Sequence, residues 1–241
     1  MKRSLLCKFI LLYFCFNSFG QNYYGFKLGG GSSYLSSKID AKLIPNSTQK
    51  FYWRPSFQGG YFYNHCINKY SSIGLELLFN KIIGLEKMET KLTDQNGDQT
   101  GQMAIATQRR HISHLSIPLY YEYKTKKLTV NLGVQFSLRI YSKFYLDVQS
   151  PIPLNYSVQP SIILNTKFYD FGGRAGLEYS LTKKLALETT FYYGLIDISR
   201  KNTETFGYPD IRKNNAHDMT WKVQQVSVGL RYKILKQEKH Q

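Results

Sequence analysis

The sequence predicts an all-β fold in which eight antiparallel strands form an up-and-down barrel that spans a membrane. The clearest strand is "LTVNLGVQFSLRIY", residues 128–141, in which even-numbered positions are apolar and odd-numbered positions are polar or glycine until Tyr141. Such alternation is typical of a strand with two chemically different faces. The chain also contains 20 Tyr and 15 Phe, which favour β-structure. Finally, short and long connections alternate, as in barrels that are inserted from the periplasm.

The first 20 residues are predicted to form a secretory signal peptide, and residues 21–241 a single barrel domain. Basic residues precede the short apolar run "FILLYFCF", and small residues follow at Ser18 and Gly20, which is the pattern of a cleaved signal. The alternative is a buried N-terminal strand. After cleavage only Cys66 remains, which excludes an intramolecular disulfide in the mature chain.

Seven further segments alternate with a period of two. Four precede residues 128–141: "YYGFKLGGGSSYL" (23–35), "SFQGGYFYNH" (56–65), "SSIGLELLFNK" (71–81) and "HLSIPLYYEYK" (114–124). Three follow: "YDFGGRAGLEYSL" (169–181), "LALETTFYYGLI" (185–196) and "VSVGLRYKI" (226–234). In the last segment the phase slips near Gln224 and Gln225, which predicts a β-bulge there.

The connections between these segments fall into two classes. Three are short, at Cys66–Lys69, Thr125–Lys127 and Thr182–Lys184. Four are long and polar or proline-rich, at about Ser37–Lys50, Glu86–Arg110, Asp147–Thr166 and Ser199–Asp218. Short turns on one side and long loops on the other predict a barrel of the outer membrane with four extracellular loops.

The composition of the two faces indicates which of them meets lipid. The polar face is rich in Gly, Ser, Thr, Asn and Gln, which suit the narrow interior of an eight-stranded barrel. The apolar face carries no charge, and its tyrosines near the strand ends suit the two membrane interfaces. We therefore expect lipid outside and the polar face in the lumen.

The lumen face carries charges of both signs, and unpaired charges there would be costly to bury. We expect a structural network that closes the lumen and fixes the strand register. Its predicted members are Lys27, Glu76, Glu122, Arg139, Arg174, Glu178 and Arg231.

The net charge of +16 predicts an anionic environment. Export makes nucleic acid an improbable partner, so outer-membrane lipids, and lipopolysaccharide phosphates in particular, are the expected contacts. Basic residues lie on the short turns at Lys69, Lys126, Lys127, Lys183 and Lys184, and beside or within the long loops at Arg109, Arg110, Arg200, Lys201, Arg212 and Lys213. The alternative is that each of these is simply a solvated charge.

The sequence resembles the PorT-like outer-membrane β-barrel family, a class of eight-stranded barrels similar to OmpA. The features that carry the resemblance are the leader end "FNSFGQ", the strand "HLSIPLYYEYK" and the hairpin "YDFGGRAGLEYSLTKKLALETTFYYGL". The resemblance covers the mature chain and implies the fold and the compartment. One subgroup of that family assists a protein secretion apparatus, so an envelope or secretion protein is an implied partner.

The last strand also resembles the signal that the barrel-assembly machinery reads. Its pattern is a polar residue, a glycine two positions on, an aromatic residue three further on and a final hydrophobic residue, here Ser227, Gly229, Tyr232 and Ile234. The tail "LKQEKHQ" departs from the pattern, because many such proteins end at the strand. This resemblance implies recognition by that machinery.

The sequence predicts neither catalysis nor a cofactor. His111, His114 and Ser116 are the candidate base and nucleophile, but the strand phase directs His114 and Ser116 into the lumen. His217 and Asp218 are neighbours in a loop, which does not define a geometry, and no metal-ligand spacing occurs. The expected function is a structural or partner-binding barrel that supports secretion or envelope integrity. The alternatives are a lipid-A-modifying enzyme and a narrow pore.

Overall fold

The computed structural model describes residues 22–38, 47–93, 99–149, 167–198 and 220–235. The predicted signal peptide and the residues His217 and Asp218 lie outside this set. Among the described residues, none forms a helix of the length and apolarity that a membrane crossing requires.

The described residues form one antiparallel sheet. Its strands are β1 (Asn22–Lys38), β2 (Ser47–Tyr52), β3 (Arg54–Cys66), β4 (Ser71–Thr93), β5 (Gln99–Lys124), β6 (Leu128–Gln149), β7 (Tyr169–Ser180), β8 (Leu185–Gly194) and β9 (Thr220–Leu235). β9 pairs with β1, and β4 pairs with both β3 and β5, so the sheet closes into a ring. The predicted closed up-and-down barrel is confirmed.

Nine strands fill eight positions in the ring, because β2 and β3 lie end to end beside β4 and together occupy one position. β3 pairs with β4 between Ser72 and Lys81, and β2 pairs with β4 higher up, between Leu85 and Thr90. The interruption between them falls at Trp53, just before the sequence Arg54-Pro55. Proline has no N–H to donate, so it is confined to the beginning or the edge of a strand.

The predicted short turns are confirmed at one end of the barrel. They connect β3 to β4, β5 to β6 and β7 to β8, and both ends of the described chain lie at the same end as these turns. The backbone N–H of Thr125 donates to the carbonyl of Leu128 across 2.7 Å, and the side chain of Thr182 accepts from the N–H of Leu185 across 2.9 Å. The five turn lysines are exposed, as expected for residues that face lipid headgroups or water.

The predicted long loop at Glu86–Arg110 is wrong. β4 continues to Thr93 and β5 begins at Gln99, so most of this segment is a paired hairpin that extends beyond the barrel wall. β1, β2 and β6 likewise extend into the loops predicted at Ser37–Lys50 and Asp147–Thr166. The sequence concealed these extensions because above the membrane neither face of a strand meets lipid, so the alternation that marks a transmembrane strand is lost.

The predicted bulge at Gln224 and Gln225 is also wrong. The pairing of β9 with β1 and β8 runs without a shift through both residues. The apparent slip in phase arises because the inward face of β9 changes from apolar, at Trp221 and Val223, to polar, at Gln225 and Ser227.

A bulge lies in β6 instead. His114 pairs with Arg139 and Ser113 pairs with Tyr141, which leaves Ile140 as the extra residue. The extra residue reverses the phase of the strand, so the odd-numbered residues face inward before it and outward after it. This is the physical cause of the break in alternation at Tyr141.

Candidate functional site: the filled lumen and the outer rim

The structure places the apolar face of the strands on the outside of the barrel and the polar face in the lumen, as the sequence predicted. Large apolar side chains on the outer wall are exposed, for example Leu28 at 61% and Leu132 at 68%. On the inner face the charged and polar side chains are buried, with Glu122 and Arg231 each at 0%. A soluble protein would not expose an uninterrupted apolar wall while it buries charges, so the outer wall is built for lipid.

Arg231 on β9 is the centre of a cluster of buried charges near the turn end of the lumen. Its Nη1 donates to Glu122 Oε1 across 2.9 Å and to Glu178 Oε2 across 2.7 Å. Its Nη2 donates to Asn64 Oδ1 across 3.1 Å and to the Tyr120 hydroxyl across 2.9 Å. One guanidinium thus ties together strands from opposite sides of the barrel.

A second group of charges lies directly above Arg231. Arg174 Nη1 lies 3.0 Å from Glu76 Oε2, and its Nη2 donates to Glu188 Oε1 across 3.2 Å. Lys27 bridges the same two carboxylates, with its Nζ 3.5 Å from Glu76 Oε2 and also in contact with Glu188. Each carboxylate therefore faces more than one cation, which offsets the cost of taking the charges out of water.

Two lysines complete the cluster at the mouth of the barrel. Lys233 pairs with Glu178, and Lys124 Nζ lies 3.7 Å from Glu122 Oε2. The hydroxyl of Tyr23 donates to Glu122 Oε2 across 2.9 Å, and both lysines lie over its ring. The buried carboxylates Glu76, Glu122, Glu178 and Glu188 thus face the cations Lys27, Arg174, Arg231 and Lys233, with half-buried Lys124 at the edge.

The structure brings together six of the seven residues predicted for the network. Arg139 is the exception: it lies next to the β6 bulge, is half-buried and pairs in register with His114, away from the cluster. The expectation failed because the pattern gives only the face of a strand and not the height at which a side chain enters the lumen.

Sequence reasoning missed Glu188, Lys233, Tyr23 and Tyr120 as members of the cluster. Glu188 and Lys233 share the polar face of their predicted segments, so the phase could have added them. The phase also put Tyr23 and Tyr120 on the lumen face, but the network was sought among charged residues only. Tyr120 fits because Gly74 stands beside it: a Cβ at Gly74 would lie 2.2 Å from the Tyr120 ring.

A layer of neutral polar side chains lies above the charges. Ser116 Oγ accepts from Asn80 Nδ2 across 2.6 Å and lies 2.8 Å from Ser137 Oγ. Ser116 is fully buried and His114 is 4% exposed, so both face the lumen as predicted. Neither side chain can reach a lipid through the outer wall.

An apolar cluster closes the loop end of the lumen. It consists of Leu35, Ile82, Ile112, Tyr192, Ile198, Trp221 and Val223, all less than 7% exposed. Arg110 caps it, with its guanidinium 3.8 Å from the centre of the Trp221 ring and 3.4 Å from Glu86 Oε2. Arg110 was expected to face lipid phosphates; its buried position inside the barrel overturns that expectation.

A basic cleft lies on the outer wall at the same height. It is lined by Thr107, Arg109, His111, Tyr145 and Asp147, with a volume of about 340 Å³. Lys143 pairs in register with His111, and its Nζ lies 4.8 Å from the centre of the Tyr145 ring. Arg109 is thus exposed on the outer wall, whereas Arg200, Lys201, Arg212 and Lys213 are outside the described residues.

The residues of the predicted insertion signal lie on both faces of β9. Ser227 and Gly229 face the lumen, whereas Tyr232 and Ile234 face outward. Tyr232 is 46% exposed and pairs in register with Phe26 of β1. The free thiol of Cys66 lies at the turn end, 3.8 Å from Lys124 Nζ. No group of His, Cys, Asp and Glu residues with a geometry for a metal ion occurs among the described residues.

Comparisons with known proteins give one family match and several matches to solved structures. Residues 19–200 match the family model of the outer membrane protein beta-barrel domain. Solved structures with a similar fold include Ail of Yersinia pestis (11% identical, 89% of this chain and 99% of that chain, TM-score 0.39) and the Neisserial surface protein NspA (13%, 88% and 97%, 0.41). Another is OprG from Pseudomonas aeruginosa (13%, 90% and 99%, 0.38). A comparison with curated proteins found no match.

Proposed function

Because the chain belongs to the outer membrane protein beta-barrel domain family and is thus located in the outer membrane, we propose that it is a closed membrane anchor that holds a rigid extracellular sheet for binding a partner protein. The observation that carries the proposal is the contrast between the two ends of β4 and β5. At the turn end they enclose a filled lumen, and at the other end they continue as a paired hairpin beyond the wall.

The filling of the lumen argues against a pore. Charged, neutral polar and apolar side chains occupy three successive levels. The side chains of the charged and apolar levels are buried, except that Lys124 and Lys233 are half-buried at the turn end. An eight-stranded barrel has room for side chains in its interior and little else. A structural role for the charge cluster follows, in which the ion pairs hold the lumen closed and fix the register.

The projecting sheet argues for binding. Above the rim, pairing runs in unbroken rows through four strands, for example from Thr48 through Glu89 and Ile105 to Gln149. Paired strands hold their side chains in fixed positions, which lowers the entropic cost of binding a partner. The edges and the outer face of the projecting sheet carry charges of both signs, as at Lys50, Lys87 and Glu89.

The proposal includes the finer expectations from the sequence. The PorT-like resemblance makes a protein of a secretion apparatus, or of the envelope, the first partner to test. Recognition of β9 by the barrel-assembly machinery and contact with lipopolysaccharide phosphates belong to the same proposal. We infer no catalysis, since His114 and Ser116, the candidate base and nucleophile, face the interior and Ser116 is bound by Asn80.

The test is site-specific photo-crosslinking in intact cells. A photoreactive residue at Met103 on the hairpin, 44% exposed, should give a discrete adduct, whereas one at Ile67 on a short turn, 50% exposed, serves as the matched control. Replacement of residues 88–106 by a two-residue turn should abolish adducts formed elsewhere on the sheet while the barrel still migrates faster unboiled. Absence of any adduct on the hairpin, or steady conductance of the purified protein in planar bilayers, would overturn the proposal.

A further inference from the structure

We propose that the cleft on the outer wall beside the β6 bulge binds the phosphate group of an outer-leaflet lipid. The cleft has Arg109, His111 and Thr107 on β5 and Tyr145 and Asp147 on β6. This inference rests on the proposed function only in that the barrel must lie in the outer membrane. It adds a defined lipid site to the general expectation of lipid contact.

The bulge creates the cleft. If Ile140 were paired regularly instead of forming the bulge, the period of two would direct Lys143 and Tyr145 to the lumen, like Ser137 before them. With it, Lys143, Tyr145 and Asp147 pair in register with the outward residues of β5, His111, Arg109 and Thr107. A bulge beside a cluster of functional groups commonly serves to redirect a side chain.

The chemistry of the cleft suits a phosphate. Arg109 is exposed and Lys143 half-buried, and Lys81 on β4 also lies close enough to act on His111 electrostatically. The His111 and Tyr145 rings meet edge to face with their centres 5.4 Å apart, so they form a firm wall from which Tyr145 can offer a hydroxyl. Three cations and one carboxylate, Asp147, leave a net positive charge, and guanidinium and ammonium groups bind phosphate oxygens through charge-assisted hydrogen bonds.

The position of the cleft indicates that the phosphate belongs to a lipid. Towards the membrane, the exposed side chains next to the cleft are apolar or aromatic: Phe79 at 43%, Ile140 at 60% and Tyr141 at 52%. The cations therefore begin where the apolar wall ends, which is the height of the headgroup phosphates. The apolar surface below would contact the acyl chains of the same molecule.

The experiment measures binding of lipid A to the folded, detergent-solubilised full chain by native mass spectrometry. The probes are diphosphorylated lipid A, the same lipid treated with phosphatase, and inorganic phosphate as competitor. The variant is Arg109→Gln/Lys143→Gln, and the matched control is Lys126→Gln/Lys183→Gln, which removes two exposed cations from the opposite end. We expect the variant to bind diphosphorylated lipid A roughly tenfold more weakly for each cation removed, while the control binds like wild type.

Each outcome decides a separate point. Equal binding by the variant and wild type, or an equal loss in the control, would overturn the lipid site. Full competition by inorganic phosphate at the lipid concentration would also overturn it, because the lipid part would then contribute nothing. Unboiled gel migration and crosslinked adducts at Met103 are measured in the same variants. These two readouts test the proposed membrane anchor separately from lipid A binding, so either proposal can be refuted while the other stands.

Discussion

Arg231 Nη1 on β9 donates to Glu122 Oε1 on β5 across 2.9 Å, and these two strands lie opposite one another in the ring of eight. The bond therefore spans the full width of the lumen. Both side chains are 0% exposed, so neither charge can be solvated by water if its partner is removed. Removal of either partner therefore leaves a buried charge with fewer compensating contacts.

Arg231→Met should destabilise the folded barrel strongly. The substitution leaves Glu122 and Glu178 buried with fewer cations, and removal of one member of a buried ion pair typically costs about 3–5 kcal/mol. The measurement is the denaturant concentration at which half of the detergent-solubilised protein loses its faster-migrating, unboiled gel band. The variant Arg109→Met, at an exposed position, is the control. A midpoint equal to that of wild type would show that the cluster contributes no stability.

The Arg174 and Glu76 pair should show coupling in a double-mutant cycle. Arg174→Leu and Glu76→Leu each leave one buried charge without one of its partners, whereas the double variant removes both charges, so it should lose less than the sum of the two single losses. Contacting residues in such a network couple by about 0.5–3 kcal/mol. Adducts on the hairpin at Met103 should persist in Arg174→Leu, because the network lies far from the projecting sheet. Additive losses would mean that the ion pair at 3.0 Å is not a stabilising interaction.

Gly74→Ala should destabilise the barrel by displacing Tyr120. The new Cβ would lie 2.2 Å from the ring, and the ring cannot move without breaking the hydrogen bonds that its hydroxyl makes with Glu76 and Arg231. Overpacking of this kind costs about 1–3 kcal/mol. Gly173→Ala is the matched control, because a Cβ there meets nothing within 4 Å. The two alanine variants are compared by denaturant midpoint, and equal midpoints would refute the role of Gly74.

The contact of Glu89 with Lys50 and Lys87 should make the hairpin sensitive to acid. Hydrogen bonds from these two lysines lower the pKa of the Glu89 carboxyl below its ordinary value. A depressed pKa in the folded state means that the contact stabilises the sheet above the unfolded pKa and is lost as the pH falls through the folded one. At a pH above the unfolded pKa, hydrogen exchange of the β2 amides should therefore be slower in wild type than in Glu89→Gln. This difference should disappear on acidification through the folded pKa, because wild type then loses the contact that the variant lacks at every pH. Identical pH dependence in the two proteins would contradict this.

The strands that cross the membrane could be predicted because lipid and lumen impose opposite chemistry on alternate residues, as from Leu128 to Ser137. The projecting hairpin at 88–106 could not, since its two faces are not divided between lipid and lumen. The faces of Glu76 and Arg231 followed from phase, but their contact did not. Which side chains meet across the lumen depends on the tilt and stagger of the strands, which no local pattern encodes.

Deletion of Ile140 should remove the bulge and leave the faces of the upper part of β6 unchanged. The residues on either side of Ile140 already pair with consecutive residues of β5, so without it the ladder becomes regular and Lys143 still pairs with outward His111. The measurement is labelling of Lys143→Cys, in a Cys66→Ser background, with a bulky polar maleimide added to intact cells. We expect rapid labelling with and without Ile140, because the deletion keeps the pairing partners of position 143. Ser142→Cys serves as the reciprocal probe and should label slowly in both backgrounds. Slow labelling of position 143 together with rapid labelling of position 142 after the deletion would show that β6 shifts its pairing with β5 by one residue, and would contradict the assignment of Ile140 as the extra residue.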